Sequence, residues 1–251
     1  MDFLYTLITP ELLLLACAAL TAGTVRGFAG FGTALIYLPI AGTVLDPVAA
    51  VVTLAIMDLL GPLPALRRAA PDTHRGDLTR LVVGTLVALP LGLAALFVLD
   101  PNVFRSIVSC VSLTMVCLLM LGWRYSGTLR PAAVFGTGVA AGFLGGIAGI
   151  PGPPVIFAYM ASPHPARVIR ANTTFYLFFY DCAALAMLLI AGRLAPELVI
   201  TGFLLAVPNM VGNLLGTALF IPAYERLYRG VAYGLILVAA LVGLPVWGTG
   251  H

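Results

Sequence analysis

The sequence predicts an all-α, polytopic membrane protein made of two inverted repeats, each a re-entrant or broken-helix hairpin followed by three transmembrane helices. Three observations predict it. Of 251 residues, 61% are apolar and 9% charged, with a mean hydropathy of +1.07, so most of the chain must lie in a bilayer. A Gly-rich stretch occurs twice, and the arginines fall in alternate loops.

The apolar runs cover residues 11–26, 28–45, 47–66, 78–99, 103–123, 131–150, 152–162, 168–191, 196–220 and 229–247. Six of them, 47–66, 78–99, 103–123, 168–191, 196–220 and 229–247, approach or exceed the roughly 20 residues that span a bilayer. The other four form two pairs, each interrupted by the Gly-rich stretch. Residues 131–162 offer about 16 residues per arm, short of a span, and a re-entrant hairpin fits better.

The duplicated stretch is Ala22-Gly23-Thr24-Val25-Arg26-Gly27-Phe28-Ala29-Gly30-Phe31-Gly32, which aligns with Ala141-Gly142-Phe143-Leu144-Gly145-Gly146-Ile147-Ala148-Gly149-Ile150-Pro151. Gly and Pro interrupt a helix and expose backbone polar groups that hydrocarbon cannot satisfy, so such breaks survive where they line a cavity or bind something. The duplication extends further. Gly92 to Arg105 tracks Gly216 to Arg229 at a constant offset, and Asp58 and Asp181 fall at nearly equivalent places in the first full span of each half.

All 13 basic residues are Arg. Arg67, Arg68, Arg75, Arg80, Arg124, Arg130, Arg167, Arg170, Arg226 and Arg229 fall in loops on one side, which the positive-inside rule makes cytoplasmic. The alternate loops hold Asp46, Asp100 to Arg105, and Arg193 to Glu197. Both loops flanking 131–162 are basic, so that segment must return to the side from which it entered. Three spans follow each hairpin, an odd number, which inverts the second half and leaves both termini outside. The domains are therefore residues 1–123, a cytoplasmic linker 124–130, and 131–251.

The first apolar run, from Leu12, lacks a basic n-region, so no cleaved signal peptide is expected. Cys17, Cys110, Cys117 and Cys182 lie in apolar segments and read as packing residues. The small net charge reports topology, not nucleic-acid binding. No nucleotide-binding Gly-Lys-Ser/Thr motif is present, and His74, His164 and His251 have no metal-ligand company in sequence. No cofactor or metal is expected.

Several residues could build a binding site. Gly27, Gly30, Gly32, Gly149 and Gly152 allow close backbone approach at the breaks. A half-helix restarting at Pro151-Gly152-Pro153-Pro154 would aim a positive dipole end into the membrane, which suits an anion. Arg26 is a charge at membrane depth and needs a partner, either an oxyanion held by its planar fork or Asp58 or Asp181. Asp58 and Asp181 are themselves costly if ionised there, which suits a proton carrier or a charge partner of Arg26. Asn172, Thr173, Asn209 and Asn213 could donate hydrogen bonds to a substrate or act as interhelical glue.

On Arg26-Gly27-Phe28-Ala29-Gly30-Phe31-Gly32 and the second copy running on through Gly152-Pro153-Pro154, the chain resembles the TauE/SafE family of sulfite exporters. The resemblance covers essentially the whole chain. It implies movement of sulfur-containing anions such as sulfite or sulfoacetate across the bacterial inner membrane. The second copy departs from the family's expected Gly-Gly-Gly tail, having Pro-Gly-Pro-Pro instead. The sequence reading is thus a secondary anion transporter in which Arg26 at the first tip supplies charge and the second tip supplies backbone. Expected partners are a small anionic substrate and membrane lipid, with protons and a second copy of the chain as further candidates. A passive anion channel remains an alternative, as does an intramembrane aspartyl protease using Asp58 and Asp181.

Overall fold

The computed structural model describes residues 9–61, 66–67, 69–121, 130–160, 164–219, 221 and 224–247. These form ten α-helices and no strand among the described residues: α1 (Pro10–Ala29), α2 (Thr33–Ala41), α3 (Pro47–Leu60), α4 (Arg75–Phe97), α5 (Pro101–Met120), α6 (Pro131–Ala148), α7 (Gly152–Met160), α8 (Ala166–Ile190), α9 (Pro196–Leu219) and α10 (Glu225–Gly243). Seven of them, α1, α4, α5, α6, α8, α9 and α10, are long and apolar enough to cross a membrane.

Local sequence sets the helix starts. Thr9-Pro10, Asp46-Pro47 and Asp100-Pro101 each place a capping side chain before a proline in the first turn. Thr9 Oγ1 accepts from the Leu12 N–H at 3.2 Å, Asp46 Oδ1 from Ala49 at 3.0 Å and Asp100 Oδ1 from Asn102 at 2.8 Å. The cap satisfies an orphan donor, and proline at that position has no donor to lose.

The two breaks are alike. Gly30 (φ 79°) and Gly149 (φ 69°) end α1 and α6 in the left-handed conformation, and their N–H groups return to the carbonyls of Arg26 (2.8 Å) and Gly145 (2.7 Å). A side chain at either site would be strained, so glycine fixes where each helix stops.

Two expected dimensions differ. The arms around each break are unequal: α1 and α6 have 20 and 18 residues, whereas α2 and α7 have nine each. The helices run straight through Gly23, Gly27, Gly142 and Gly146, because those glycines serve packing. The span expected at 47–66 is shorter, since α3 has 14 residues and stops at Leu60; residues 62–65 lie outside the described residues. So does most of the 124–130 linker.

Glycine contacts set the helix pairing. On α1 against α9, Gly23 abuts the Asn209 backbone and Gly27 that of Asn213, while Gly216 abuts Thr24. On α6 against α4, Gly138 abuts the Leu81 backbone, Gly142 that of Thr85, and Gly146 meets Gly92. Small residues let these backbones touch, the usual basis of helix association in lipid. Both registers advance in the same direction, so α1 runs parallel to α9 and α6 parallel to α4. Pro10 is therefore level with Pro196, and Pro131 with the start of α4.

Other contacts fix which ends lie together. His74 sits beside Asn172 and Thr85 beside Tyr176, so α4 and α8 run the same way and the starts of α5 and α9 share one end of the bundle. The end of α10 is there too, because Arg105 of α5 donates to the carbonyls of Gly243 (3.0 Å) and Leu244 (3.3 Å). A cation closing a helix C-terminus is favourable. Gly32 faces Ile236 and Pro39 faces Gly243, so α2 leads back to the end where α1 began. At the opposite end, Tyr159 of α7 meets Asn172 at 2.8 Å, beside the level from which α6 sets out.

Candidate functional site

The breaks face a single cavity of about 540 Å³. Its wall is formed by residues 26–35 around the first break and 149–153 around the second, by Asp58 of α3, by Arg170, Thr173, Thr174, Tyr180 and Asp181 of α8, and by Asn213 and Thr217 of α9. The cavity thus collects the duplicated motif with both intramembrane aspartates.

Arg26 Nη1 lies 2.8 Å from Asp58 Oδ2 and donates to Thr33 Oγ1 at 3.3 Å. Both contacts use the same nitrogen, so Nη2 and Nε make no hydrogen bond to any described residue. Asn209 Nδ2 reaches Asp58 Oδ1 at 3.4 Å from behind. Nη1 is committed to the protein, and the remaining two nitrogens of this cavity-lining residue form a planar pair of donors of the kind that matches an oxyanion.

Asp181 has a different environment. It is 8% exposed and lines the cavity, yet makes no hydrogen bond or ion pair to a described residue. The reason lies at Gly145, which aligns with Arg26. The Tyr180 hydroxyl donates to the Gly145 carbonyl at 2.7 Å, and a side chain on Gly145 would run into the Tyr180 ring. The second half has no room for an arginine, and Asp181 has no counterpart to Asp58's partner.

The backbone contributions are the reverse of the sequence expectation. At α2, Gly32 (φ 109°) precedes Thr33, Ala34 and Leu35, whose N–H groups have no side-chain cap, and all three residues line the cavity. The first turn of α7 holds Pro153 and Pro154, which have no N–H, so Gly152 alone donates there. The first break supplies both charge and donors; the second supplies mainly a dipole end and shape.

A model of the sulfite exporter TauE/SafE family matches residues 15–242. The chain belongs to that family. No curated protein and no solved structure matches it. As a TauE/SafE protein it is a multi-pass membrane transporter, not an enzyme. The geometry agrees on the last point: Asp58 is held by Arg26, so Asp58 and Asp181 are not the pair of equivalent carboxylates an aspartyl protease shares a proton across.

Of the candidate site residues in this TauE/SafE chain, Arg26, Gly27, Gly30, Gly32, Asp58, Gly149, Gly152, Thr173, Asp181 and Asn213 line the cavity. Asn172 does not. It is fully buried, and its amide accepts from the His74 N–H at 2.8 Å and donates to Tyr159 Oη at 2.8 Å, which is interhelical glue. Asn209 also lies behind the cavity and acts through Asp58. Sequence reasoning missed Thr33, Arg170, Tyr180 and Thr217; only Thr33 carried a signal, following directly on the motif.

Two smaller expectations need correction. Cys17, Cys110 and Cys117 are exposed on the helix surfaces and not packed inside; they and Cys182 are free thiols. His74 and His164, isolated in sequence, are brought together with Asp77, their ligand atoms all within 4.8 Å of one another.

Proposed function

We propose that this TauE/SafE protein is a secondary transporter that carries a small sulfur-containing anion, of the sulfite or sulfoacetate kind, across the bacterial inner membrane by alternating access. The observation that carries this reading is the guanidinium of Arg26: Nη1 is paired with Asp58 while Nη2 and Nε bond no described residue, and the residue lines a cavity of about 540 Å³ beside the uncapped start of α2. The substrate's oxyanion takes the free fork and the α2 N–H groups. Gly27, Gly30, Gly32, Gly149 and Gly152 let the backbone close around it, with Thr173 and Asn213 as polar contacts. Asp181 carries a proton that accompanies the anion.

Residues 1–123 and 131–251 act as inverted halves that rock against one another around the breaks. The exchanged pairing supports this: the broken helix of each half packs on the second full span of the other. The end of the bundle holding Arg75 and Arg80 is cytoplasmic by its charge, which puts both termini outside. Arg170, near the start of α8, lines the cavity about 16 Å along the helix from Asp181, so the cavity reaches toward the cytoplasmic end and the conformation is inward-facing.

Uptake of radiolabelled sulfite or sulfoacetate by proteoliposomes tests the reading. Arg26→Ala should abolish uptake while the protein stays monodisperse; full activity in that variant would overturn it. Uptake by the wild type should also saturate and support exchange, whereas a channel would show neither. A thermal-shift panel of sulfite, sulfoacetate, taurine, sulfate and small carboxylates narrows the substrate.

A further inference from the structure

The His74, Asp77 and His164 cluster lies outside the transport cavity, at the end of the bundle where α4 and α8 begin. Its geometry is unusual for an ordinary ion-pair network. Asp77 Oδ1 is held by Arg80 Nη1 at 3.2 Å, while Oδ2 faces both imidazoles, 2.9 Å from His164 Nε2 and 3.2 Å from His74 Nδ1. His74 Nδ1 accepts a hydrogen bond from the Asp77 N–H at 3.3 Å, as the cap of α4. An accepting nitrogen presents its lone pair. Two lone-pair atoms, Nδ1 and Oδ2, thus stand 3.2 Å apart with a third potential ligand nitrogen beside them, and the backbone N–H at 3.3 Å is a long partner for one of them.

We propose that His74, Asp77 and His164 form a binding site for a divalent transition metal of the Zn²⁺ type, which clips the start of α4 to the start of α8. A cation between the three atoms satisfies the facing lone pairs together and takes over the one now shared with the Asp77 N–H. The size fits. Arms of about 2.0–2.1 Å to nitrogen and carboxylate oxygen give tetrahedral edges of about 3.3–3.4 Å; the two carboxylate edges of 2.9 and 3.2 Å need to open by only a few tenths of an ångström, and the imidazole–imidazole edge, within 4.8 Å, draws in as both rings turn to the ion. Two imidazoles and one carboxylate select zinc-like metals over Mg²⁺ or Ca²⁺, and leave the fourth position to water.

The surroundings preorganise the ligands. Arg80 occupies the outward carboxylate oxygen and orients the other, as an outer partner does in a metal site. Asn172 fixes the His74 backbone from both sides, accepting its N–H at 2.8 Å and donating to its carbonyl at 3.3 Å. Asp77 is 10% exposed, while the His164 and His74 side chains are 25% and 47% exposed, which gives an ion a path from water. The site spans residues far apart in sequence, so a bound ion would hold the two halves in the present arrangement.

The test is zinc titration of the full-length, untagged protein in detergent after EDTA treatment and removal of the chelator, read by competition with a chromophoric indicator. The expected result is one tight Zn²⁺ per chain, weakened more than about tenfold in His74→Ala and in His164→Ala, with a rise in melting temperature on adding Zn²⁺ to the wild type only. His164→Gln, which retains a hydrogen-bond donor toward Asp77, guards against a folding defect and should lose zinc equally. Co²⁺ should give the intense visible bands of a tetrahedral centre in the wild type. Zinc binding equally tight in a His74→Ala/His164→Ala double variant would assign it to the free cysteines and overturn the proposal. Absence of tight binding in the wild type would overturn it too, and the cluster would then be an ion-pair latch.

Discussion

The Tyr180 hydroxyl donates to the Gly145 carbonyl at 2.7 Å, and the Tyr180 ring fills the space a side chain at position 145 would need. Gly145 is the counterpart of Arg26 in the duplicated motif. One half of the cavity therefore carries a guanidinium paired with Asp58, and the other carries a phenol beside Asp181, which has no ion-pair partner among the described residues. The chemistry of the site follows from that inequality.

Tyr180→Phe keeps the ring and deletes the hydroxyl. The Gly145 carbonyl still accepts the Gly149 N–H at 2.7 Å, so the loss should be about 1 kcal/mol. Gly145→Ala forces the ring itself to move and should cost more, because overpacking displaces neighbours that fill the space efficiently. Thermal unfolding in detergent should rank wild type, Tyr180→Phe and Gly145→Ala in that order of stability.

Asp58→Ala removes the partner of a charge that is largely buried, both side chains being 16% exposed. Breaking such a pair costs about 3 kcal/mol or more, less where cavity water relieves it. The double variant Arg26→Ala/Asp58→Ala should therefore be more stable than Asp58→Ala alone, the mark of a coupled pair. Asp58→Ala should also gain more in melting temperature from added sulfite than the wild type does, since the anion then replaces the missing carboxylate.

Much of this was legible in the sequence, for physical reasons. Composition required a bilayer, and seven helices are long and apolar enough to cross one. The Gly motif marked the breaks because hydrocarbon tolerates an open backbone only at a cavity. What was hidden depended on register. Whether a glycine breaks a helix or packs one cannot be read from its neighbours, so Gly23 and Gly27 lengthened α1 beyond expectation. Whether an asparagine faces a substrate or another helix depends on helix rotation, and Asn172 and Asn209 turned inward to protein. His74 and His164 are 90 residues apart, so only the packing of α4 on α8 could unite them. The missing donors at Pro153 and Pro154, by contrast, could have been read from the sequence.

Glycine contacts make a sharp contrast testable. A Cβ on Gly23 or Gly216 would strike the backbone of the partner helix, whereas one on Gly136 or Gly234 meets nothing within 4 Å. Gly23→Ala and Gly216→Ala should separate α1 from α9 and lower the melting temperature markedly. Gly136→Ala and Gly234→Ala remove backbone freedom at no steric cost and should be neutral or stabilising by up to about 1 kcal/mol.

Asp181→Asn separates a structural carboxylate from a working one. Asp181 makes no hydrogen bond or ion pair to a described residue, so replacing it by a neutral isostere breaks no such contact and removes a group that is costly to ionise away from water. The variant should fold with a melting temperature equal to or above that of the wild type. If Asp181 carries the proton that travels with the anion, the variant should lose acceleration of uptake by an imposed pH gradient while retaining counterflow of labelled against unlabelled substrate, which needs no net proton movement. Measuring both in the same proteoliposomes decides the matter: uptake that still responds to the gradient as the wild type does would remove Asp181 from the coupling mechanism and leave the proton, if one moves, to the Arg26–Asp58 pair.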